Sequence, residues 1–301
     1  MLKPIKKLLS EELKDKLPKN ELSLLPSSYQ KIGDIVILNL KKELWKHDKR
    51  IGQILLKKIP NTKTVCRRTK FITTQHRKPH VKIIAGDKNT ETIHKEHDIL
   101  YKLNVNKIMF SKGNLTERKR ITKLVKKNET ILDMFAGIGY FSLGIAKFSN
   151  PKKVYSIEID LVAYRYLREN IKLNRVKDKI ILIHGDCVVE IPKLGRIGDR
   201  VIMGLLPSSK EYLPDAMKVV KMNGIIHYHG ISRKDTWKEL FEDVKTAAEI
   251  EGFKVKLKRK VIVKSYAPKV FHYVLDCKVS PKKSLRQKLF LLQFLGQINL
   301  R

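Results

Sequence analysis

The sequence predicts an α/β protein: a doubly wound, mostly parallel sheet closed by a terminal antiparallel hairpin, preceded by a small α+β domain. Three observations predict it. From Glu129 onward, short apolar runs alternate with amphipathic helical stretches, the pattern of consecutive βαβ units. A glycine turn, Gly137-Ile138-Gly139, falls between the first of these strands and its helix. The last two strands are joined by Lys264-Ser265-Tyr266-Ala267-Pro268-Lys269, too short for a crossover helix, so they pair as a hairpin at one edge.

Residues 1–28 read as one or two short helices broken by Pro18 and Pro26. Residues 29–110 form the small α+β domain. Its strands are Ile35–Leu38, Ile54–Leu56 and Val81–Ala85, the last closed by the turn pair Gly86-Asp87. Residues 111–128 are a linker, with a helix from Thr116 to Lys127 that places Leu115, Ile121, Leu124 and Val125 on one stripe. Residues 129–301 carry the sheet. Its strands are Thr130–Asp133, Val154–Glu158, Ile180–Ile183, Asp199–Met203 and Gly224–Tyr228, then the hairpin Val255–Val263 and Val270–Val279. Helices at Tyr140–Phe148 and Ala163–Leu173 separate the first three strands. The tail from Leu285 to Leu295 reads as an apolar helix.

The chain has 301 residues, room for about two domains, and its 42% hydrophobic content is enough for real cores. Lys and Arg total 64 against 30 Asp and Glu, a net charge of +34. An ion-pair-rich surface needs both signs, so this excess calls for a polyanion, and nucleic acid is the first candidate. No apolar run approaches the roughly 18 residues of a membrane span, so no membrane role is expected. Met1–Pro26 contains Glu11, Glu12, Asp15 and Glu21 without a continuous apolar stretch, and reads as ordinary structure, not a signal peptide. Cys66, Cys187 and Cys277 are too scattered for a disulfide framework or a zinc site, which fits a cytoplasmic protein with no metal.

The segment Asp133-Met134-Phe135-Ala136-Gly137-Ile138-Gly139-Tyr140-Phe141 is the candidate cofactor motif. Glycine lets the chain turn sharply and lets a ligand approach the backbone. Glu158 ends the next strand about 20 residues on, where a carboxylate can accept both hydroxyls of a ribose. Asp186-Cys187 lies at the end of the third strand, where a short acceptor can meet an adenine amino group. A dinucleotide reading wants G-x-G-x-x-G, but Ser142 holds the third glycine position. Asp133 before the turn would repel a pyrophosphate and attract the sulfonium and ammonium of S-adenosyl-L-methionine (AdoMet). AdoMet is therefore favoured over NAD, on a class I AdoMet-dependent methyltransferase-like Rossmann fold.

The Asp133–Phe141 segment, the strand end Glu158-Ile159-Asp160 and the run Glu169-Asn170-Ile171-Lys172-Leu173-Asn174 together resemble the archaeal and eukaryotic tRNA guanine-N1 methyltransferase superfamily. Thr116-Glu117-Arg118-Lys119-Arg120 resembles its linker helix, and the resemblance spans about Gly33 to Val279. One segment separates the branches. Where the methyltransferases carry Asn-Pro-Pro-Tyr-like residues, this chain reads Gly204-Leu205-Leu206-Pro207-Ser208-Ser209. That segment, with Gly224-Ile225-Ile226-His227-Tyr228-His229, resembles the wybutosine-synthesis aminocarboxypropyltransferases.

The resemblance implies transfer of the 3-amino-3-carboxypropyl group of AdoMet to 4-demethylwyosine in the anticodon loop of phenylalanine tRNA, with methylthioadenosine released. A tRNA guanine-N1 methyltransferase of the same superfamily is the alternative. The resemblance also implies cofactor contacts at Ser111, Arg118, Glu158, Asp186 and Cys187, beside Asp133 and Gly137 from the turn. Arg118 suits the donor's carboxylate, because a guanidinium fork binds it bidentately. Gly204 has no side chain to accept from an exocyclic amine, which suits an acceptor ring larger than guanine. No obligate protein partner is implied.

Other residues have plainer readings. His227 and His229 share a strand face and are expected to pack or hydrogen-bond; no third metal ligand accompanies them. His94 and His97 read as the solvated face of a helix. Tyr140 and Phe141 read as core, and Cys187 as a small buried residue. Phosphate contacts are expected in the basic stretches 41–50, 67–82 and 256–264.

Overall fold

A computed structural model of the chain describes residues 4–69 and 79–282. In chain order its first elements are α1 (Ile5–Leu13), α2 (Lys19–Ser23), β1 (Gln30–Ile32), β2 (Ile35–Leu38), α3 (Asp48–Lys58), β3 (Thr64–Arg68), β4 (Val81–Gly86), β5 (Glu91–Glu96) and β6 (Ile99–Asn104). Next come α4 (Leu115–Leu124), β7 (Thr130–Asp133), α5 (Ser142–Phe148), β8 (Lys153–Glu158), α6 (Leu161–Leu173), β9 (Ile180–His184), α7 (Cys187–Leu194) and β10 (Gly198–Met203). The last are α8 (Leu213–Val219), β11 (Val220–Arg233), α9 (Lys238–Ile250), β12 (Phe253–Ala267) and β13 (Val270–Pro281). They form two compact units, residues 1–112 with 162–175, and residues 113–161 with 176–301. The apolar tail expected at Leu285–Leu295 lies outside the described residues, as does part of the 67–82 basic stretch.

In the first unit, β1 to β4 form a sheet in chain order, with β2 and β3 parallel. Parallel neighbours need a crossover, and α3 supplies it. The strand expected at Ile54–Leu56 is therefore wrong, because those residues lie inside α3. Ile51 and Leu55, four apart and both fully buried, set a helical period that a three-residue apolar run conceals. The core joins Leu9 and Leu13 of α1 to Val36, Leu38, Ile51, Leu55 and Val65. His94 and His97 are not on a helix either. His94 lies in β5, and His97 and Asp98 both have positive φ, 48° and 62°, as the tight turn between β5 and β6 demands.

Helix α6 docks on that hairpin through side-chain amides. Lys102 N donates to Asn170 Oδ1 at 2.7 Å and Leu100 N to Asn174 Oδ1 at 2.9 Å. The Nδ2 groups return bonds to Lys102 O at 3.2 Å and Leu100 O at 2.7 Å. One helical turn thus matches alternate residues of β6, and two asparagines stand in for a neighbouring strand. Glu169 adds an ion pair to Lys102 at 2.8 Å. The Glu169-Asn170…Asn174 motif therefore serves the hairpin.

In the second unit, seven strands run in the order β12-β13-β11-β10-β7-β8-β9. The β7–β11 ladders are parallel, and β13 is antiparallel to both β11 and β12, so the hairpin closes one edge as expected. The strand order reverses at β7, between β10 and β8. Ligands of such sheets bind there, outside the carboxyl ends of the strands.

Candidate functional site

At the carboxyl end of β7 the chain enters the glycine turn. Gly137 and Gly139 adopt φ of 58° and 99°, a region open to glycine and costly for other residues. A Cβ at Gly137 would also lie 2.7 Å from the Tyr140 ring. Glu158, at the end of β8, reaches across to this turn. Its Oε2 accepts from Gly137 N at 2.7 Å and its Oε1 from Asp160 N at 2.8 Å. The Ile159 amide is directed at the carboxylate as well, and of its roughly four lone-pair sites this leaves room for a further donor such as a ribose hydroxyl. Burial pushes the Glu158 carboxyl up, and the amides of Asp160 and Gly137 pull it back.

Asp133 sits behind the turn, fully buried. Its Oδ2 accepts from the Ser142 hydroxyl at 2.7 Å, and Ser142 accepts in turn from Ser156 at 2.8 Å. Its Oδ1 has no hydrogen-bond partner. Burial raises the carboxyl to about 6 against the pull of Ser142. A buried carboxylate with an orphaned oxygen under the ligand-binding turn suits a cationic ligand and not a pyrophosphate. Asp133 is sealed from direct contact, so its charge reaches the turn only through its field.

Asp186 and Cys187 do not end the third strand, as expected from the sequence. β9 stops at His184, and Asp186 is the N-cap of α7, its Oδ1 accepting from Val188 N at 3.0 Å. A short acidic residue after a strand fits either position, and the helix that follows decides it. The buried Cys187 thiol is pushed up to about 12 by burial, so it is no nucleophile. Sequence reasoning missed the apolar residues beside these anchors. Ile159 is 64% exposed and Val188 44%. Their positions one after Glu158 and two after Asp186 were the available signal.

Arg118 of α4 is buried, with its guanidinium carbon 4.8 Å from the centroid of the Tyr140 ring. Tyr140 is thus a half-buried platform under a cation, and Phe141 is buried as expected. Ser111 is half-buried in the other unit, just before its boundary at Lys112. Past the end of β10, a Cβ on Gly204 would lie 3.0 Å from the Phe141 ring. The volume vacated by the missing side chain is therefore closed by that ring's edge.

The sequence did not disclose what holds α4. Arg120 donates to both Asp276 oxygens at 2.6 and 2.9 Å, and to both Glu117 oxygens at 2.7 Å. Asp276 also meets His227 Nδ1 at 2.6 Å, and Arg200 lies 2.8 Å from His227 Nε2. Arginine only donates, so Nε2 accepts, Nδ1 carries the proton, and the imidazole is neutral. Burial lowers the His227 pKa further than Asp276 raises it. Arg200 continues to Glu129 at 3.1 Å and to the Leu124 carbonyl at 3.0 Å. His229 lies against the Phe141 ring and pairs with His272 at 3.1 Å; both are fully buried. The histidines thus pack and hydrogen-bond, as expected. Among the described residues no group of His, Cys, Asp or Glu is placed to hold a metal, and no helix is long and apolar enough to cross a membrane.

Known proteins resemble this chain along most of its length. The family model described as the TRM5/TYW2 methyltransferase domain matches residues 92–257, and that of the TYW2 N-terminal domain matches residues 9–90. A tRNA(Phe) (4-demethylwyosine(37)-C(7)) aminocarboxypropyltransferase from Methanocaldococcus jannaschii is 44% identical, covering 83% of this chain and 97% of that protein. The tRNA (guanine(37)-N(1))-methyltransferase Trm5b of Pyrococcus abyssi is 34% identical over 88% of this chain and 78% of its own. The crystal structure of P. horikoshii TYW2 in complex with MeSAdo superposes with a TM-score of 0.81 at 36% identity, covering 92% of this chain and all of that one.

The buried ionic lock makes a test. Burial alone would raise the Asp276 carboxyl, but the His227 and Arg120 bonds outweigh it and hold it well below the usual range. A carboxyl depressed on folding adds stability above its unfolded pKa of about 3.9, and that stability is lost as pH falls toward the folded value. Arg120→Met removes the arginine's share of this support and leaves buried Glu117 and Asp276 without their counter-charge, Asp276 keeping only its bond from His227. It should cost about 3–5 kcal/mol in urea unfolding and move the acid-unfolding midpoint to higher pH. An unchanged acid midpoint would contradict the lock.

Proposed function

This chain belongs to the TYW2 family of tRNA 4-demethylwyosine aminocarboxypropyltransferases within the TRM5/TYW2 superfamily, and from that premise we propose how its residues carry the reaction. The enzyme is an AdoMet-dependent transferase that modifies tRNA, releasing methylthioadenosine. The acceptor we infer is the tricyclic base 3′ of the anticodon in phenylalanine tRNA.

Bound AdoMet supplies the electrophile: the bond from sulfur to the aminocarboxypropyl carbon breaks, its pair staying on a now neutral thioether, while the base carbon forms the new bond and loses its ring proton to water. The residues of this chain decide which sulfur substituent is presented. Glu158 holds the two ribose hydroxyls with the lone pairs its amide partners leave free. Asp186 and the Cys187 backbone take the adenine edge, with Ile159 and Val188 as apolar walls against its faces. Arg118 receives the amino-acid carboxylate. Asp133 favours the cationic donor through its buried charge. Gly137 lets the nucleoside lie against the backbone.

Residues 111–128 thus serve the cofactor site. Residues 29–110 assist tRNA binding through basic side chains such as Lys41, Lys42 and Lys49. Three free, buried cysteines suit a reducing cytoplasm. The observation that carries the cofactor reading is Glu158, tied to the glycine turn by main-chain amides with acceptor capacity left over.

The deciding assay uses AdoMet labelled in its methionine chain, with tRNA carrying or lacking 4-demethylwyosine. Label should enter only the RNA carrying that base, with methylthioadenosine as co-product. Adenosylhomocysteine, with label absent from RNA, would contradict the reading. A second test uses pH. Asp133 is ionised above about 6 and neutral below it. Calorimetry should show AdoMet binding weakening from pH 7 to pH 5, while methylthioadenosine, which lacks both cationic centres, binds evenly. Asp133→Asn should flatten the AdoMet profile; parallel profiles for the two ligands in the wild type would refute the field effect.

A further inference from the structure

We propose that the end of the β11–β13–β12 ribbon is a tongue that grips the phosphate backbone of the RNA stem beside the base being modified. The proposal rests on the tRNA-modifying function above and adds the surface that holds the substrate. The pairing of β10 with β11 ends at Met203 opposite Tyr228. Beyond it β11 continues to Arg233, paired with β13 back to Val270, while β12 follows to Ala267. At about 3.4 Å per residue, the three strands overrun β10 by about 17 Å. They do so at the carboxyl end of the parallel strands. Asp133, Ile202 and His227 mark that level, and Gly137 and Glu158 lie at the same end.

The charge of the tongue is one-sided. Arg233, Lys234 and Lys269 are exposed at its end, and Lys260 and Lys264 lie behind them on β12; Asp235 is the lone carboxylate there. Among the described residues, Arg233, Lys234 and Lys269 enter no ion pair. Lys269 also holds φ of 61° in the hairpin turn, a conformation glycine or asparagine adopts more easily, so a cation stands there at a conformational cost. Ile262 is 49% exposed and Tyr266 38%, giving the tongue an apolar and aromatic side as well.

Edge strands often carry lysine to block pairing with other sheets, and the lysines of β12 serve that need. It does not explain the whole tip. Beyond Tyr228 the outer side of β11 is open too, so the rule covers Arg233, but Lys234 follows the strand and Lys269 sits in a turn, with no ladder to protect. Clustered cations at the same end of the sheet as the glycine turn fit the phosphodiesters of a stem next to an extruded nucleotide, which they position without reading its sequence.

The test compares two triple charge reversals, using a synthetic RNA stem-loop of the phenylalanine tRNA anticodon arm as probe. Arg233→Glu with Lys234→Glu and Lys269→Glu should weaken stem-loop binding by roughly 30-fold or more at about 0.1 M salt. Loss of three phosphate contacts should also lower the slope of log K against log salt by about 2 to 3. Methylthioadenosine affinity should stay at the wild-type value, which also reports an intact fold. The glutamine triple at the same positions should shift RNA binding the same way by less. Reversal of Lys152, Lys177 and Lys254, exposed at the amino ends of β8, β9 and β12 and so at the opposite end of the sheet, should change RNA affinity less than about threefold. Wild-type RNA affinity and salt slope in the tip triple would overturn the proposal, as would equal losses from both triples. A wild-type protein that binds methylthioadenosine but neither the stem-loop nor whole tRNA would instead overturn the tRNA-modifying reading itself.

Discussion

The contact on which the rest of the second unit depends is the bidentate pair between Arg120 and Asp276. It joins α4 to β13, and through Asp276 to His227 of β11 and Arg200 of β10. Two residues before Arg120, Arg118 stands over the Tyr140 ring of the glycine turn. The lock therefore sets the place of the cation nearest the cofactor motif. A buried ion pair rarely adds much net stability over an apolar replacement, because desolvation offsets the attraction. Its contribution here is placement: six hydrogen-bonded side chains, Glu117, Arg120, Asp276, His227, Arg200 and Glu129, admit one seating of the helix on the sheet.

A second constraint acts on the turn from the other side. Gly137 must be glycine for its φ and for the Tyr140 ring, and its amide is held by Glu158. Asp133, Ser142 and Ser156 brace the turn from within. One carboxylate is half-buried with acceptor capacity to spare, and the other is sealed and raised by burial. The two differ accordingly: Glu158 meets the turn by directional hydrogen bonds from main-chain amides, and Asp133 places a buried carboxyl behind it.

Much of this was legible in the sequence. The alternation from Glu129, the glycine turn, Glu158 at a strand end and the closing hairpin all depend on local periodicity and turn chemistry. Helix α3 was missed because Ile54, Leu55 and Leu56 are consecutive, and only the partners of Ile51 and Leu55 reveal the period. His94 and His97 were misplaced because their turn uses left-handed His and Asp in place of glycine. Asp186 was read as a strand end because a cap and a strand end use the same short acceptor. The ionic lock was invisible for a different reason. Arg120 and Asp276 are 156 residues apart, and no local pattern pairs them. The asparagines of α6 carried a family resemblance, yet only the structure shows that they bind the β6 backbone.

The central claim is that this cradle turns the amino-acid side of the sulfonium, and not its methyl group, toward the acceptor. In the function proposed above, Glu158 and Asp186 fix the nucleoside and Arg118 draws the charged arm, so the place at which α4 is locked would set the rotation about sulfur. The most direct measurement is a crystal structure of the protein with intact AdoMet. The aminocarboxypropyl carbon attached to sulfur should face the Gly204–Ser209 segment, with the carboxylate on the Arg118 guanidinium. A methyl carbon facing that segment, with the carboxylate away from Arg118, would contradict the account.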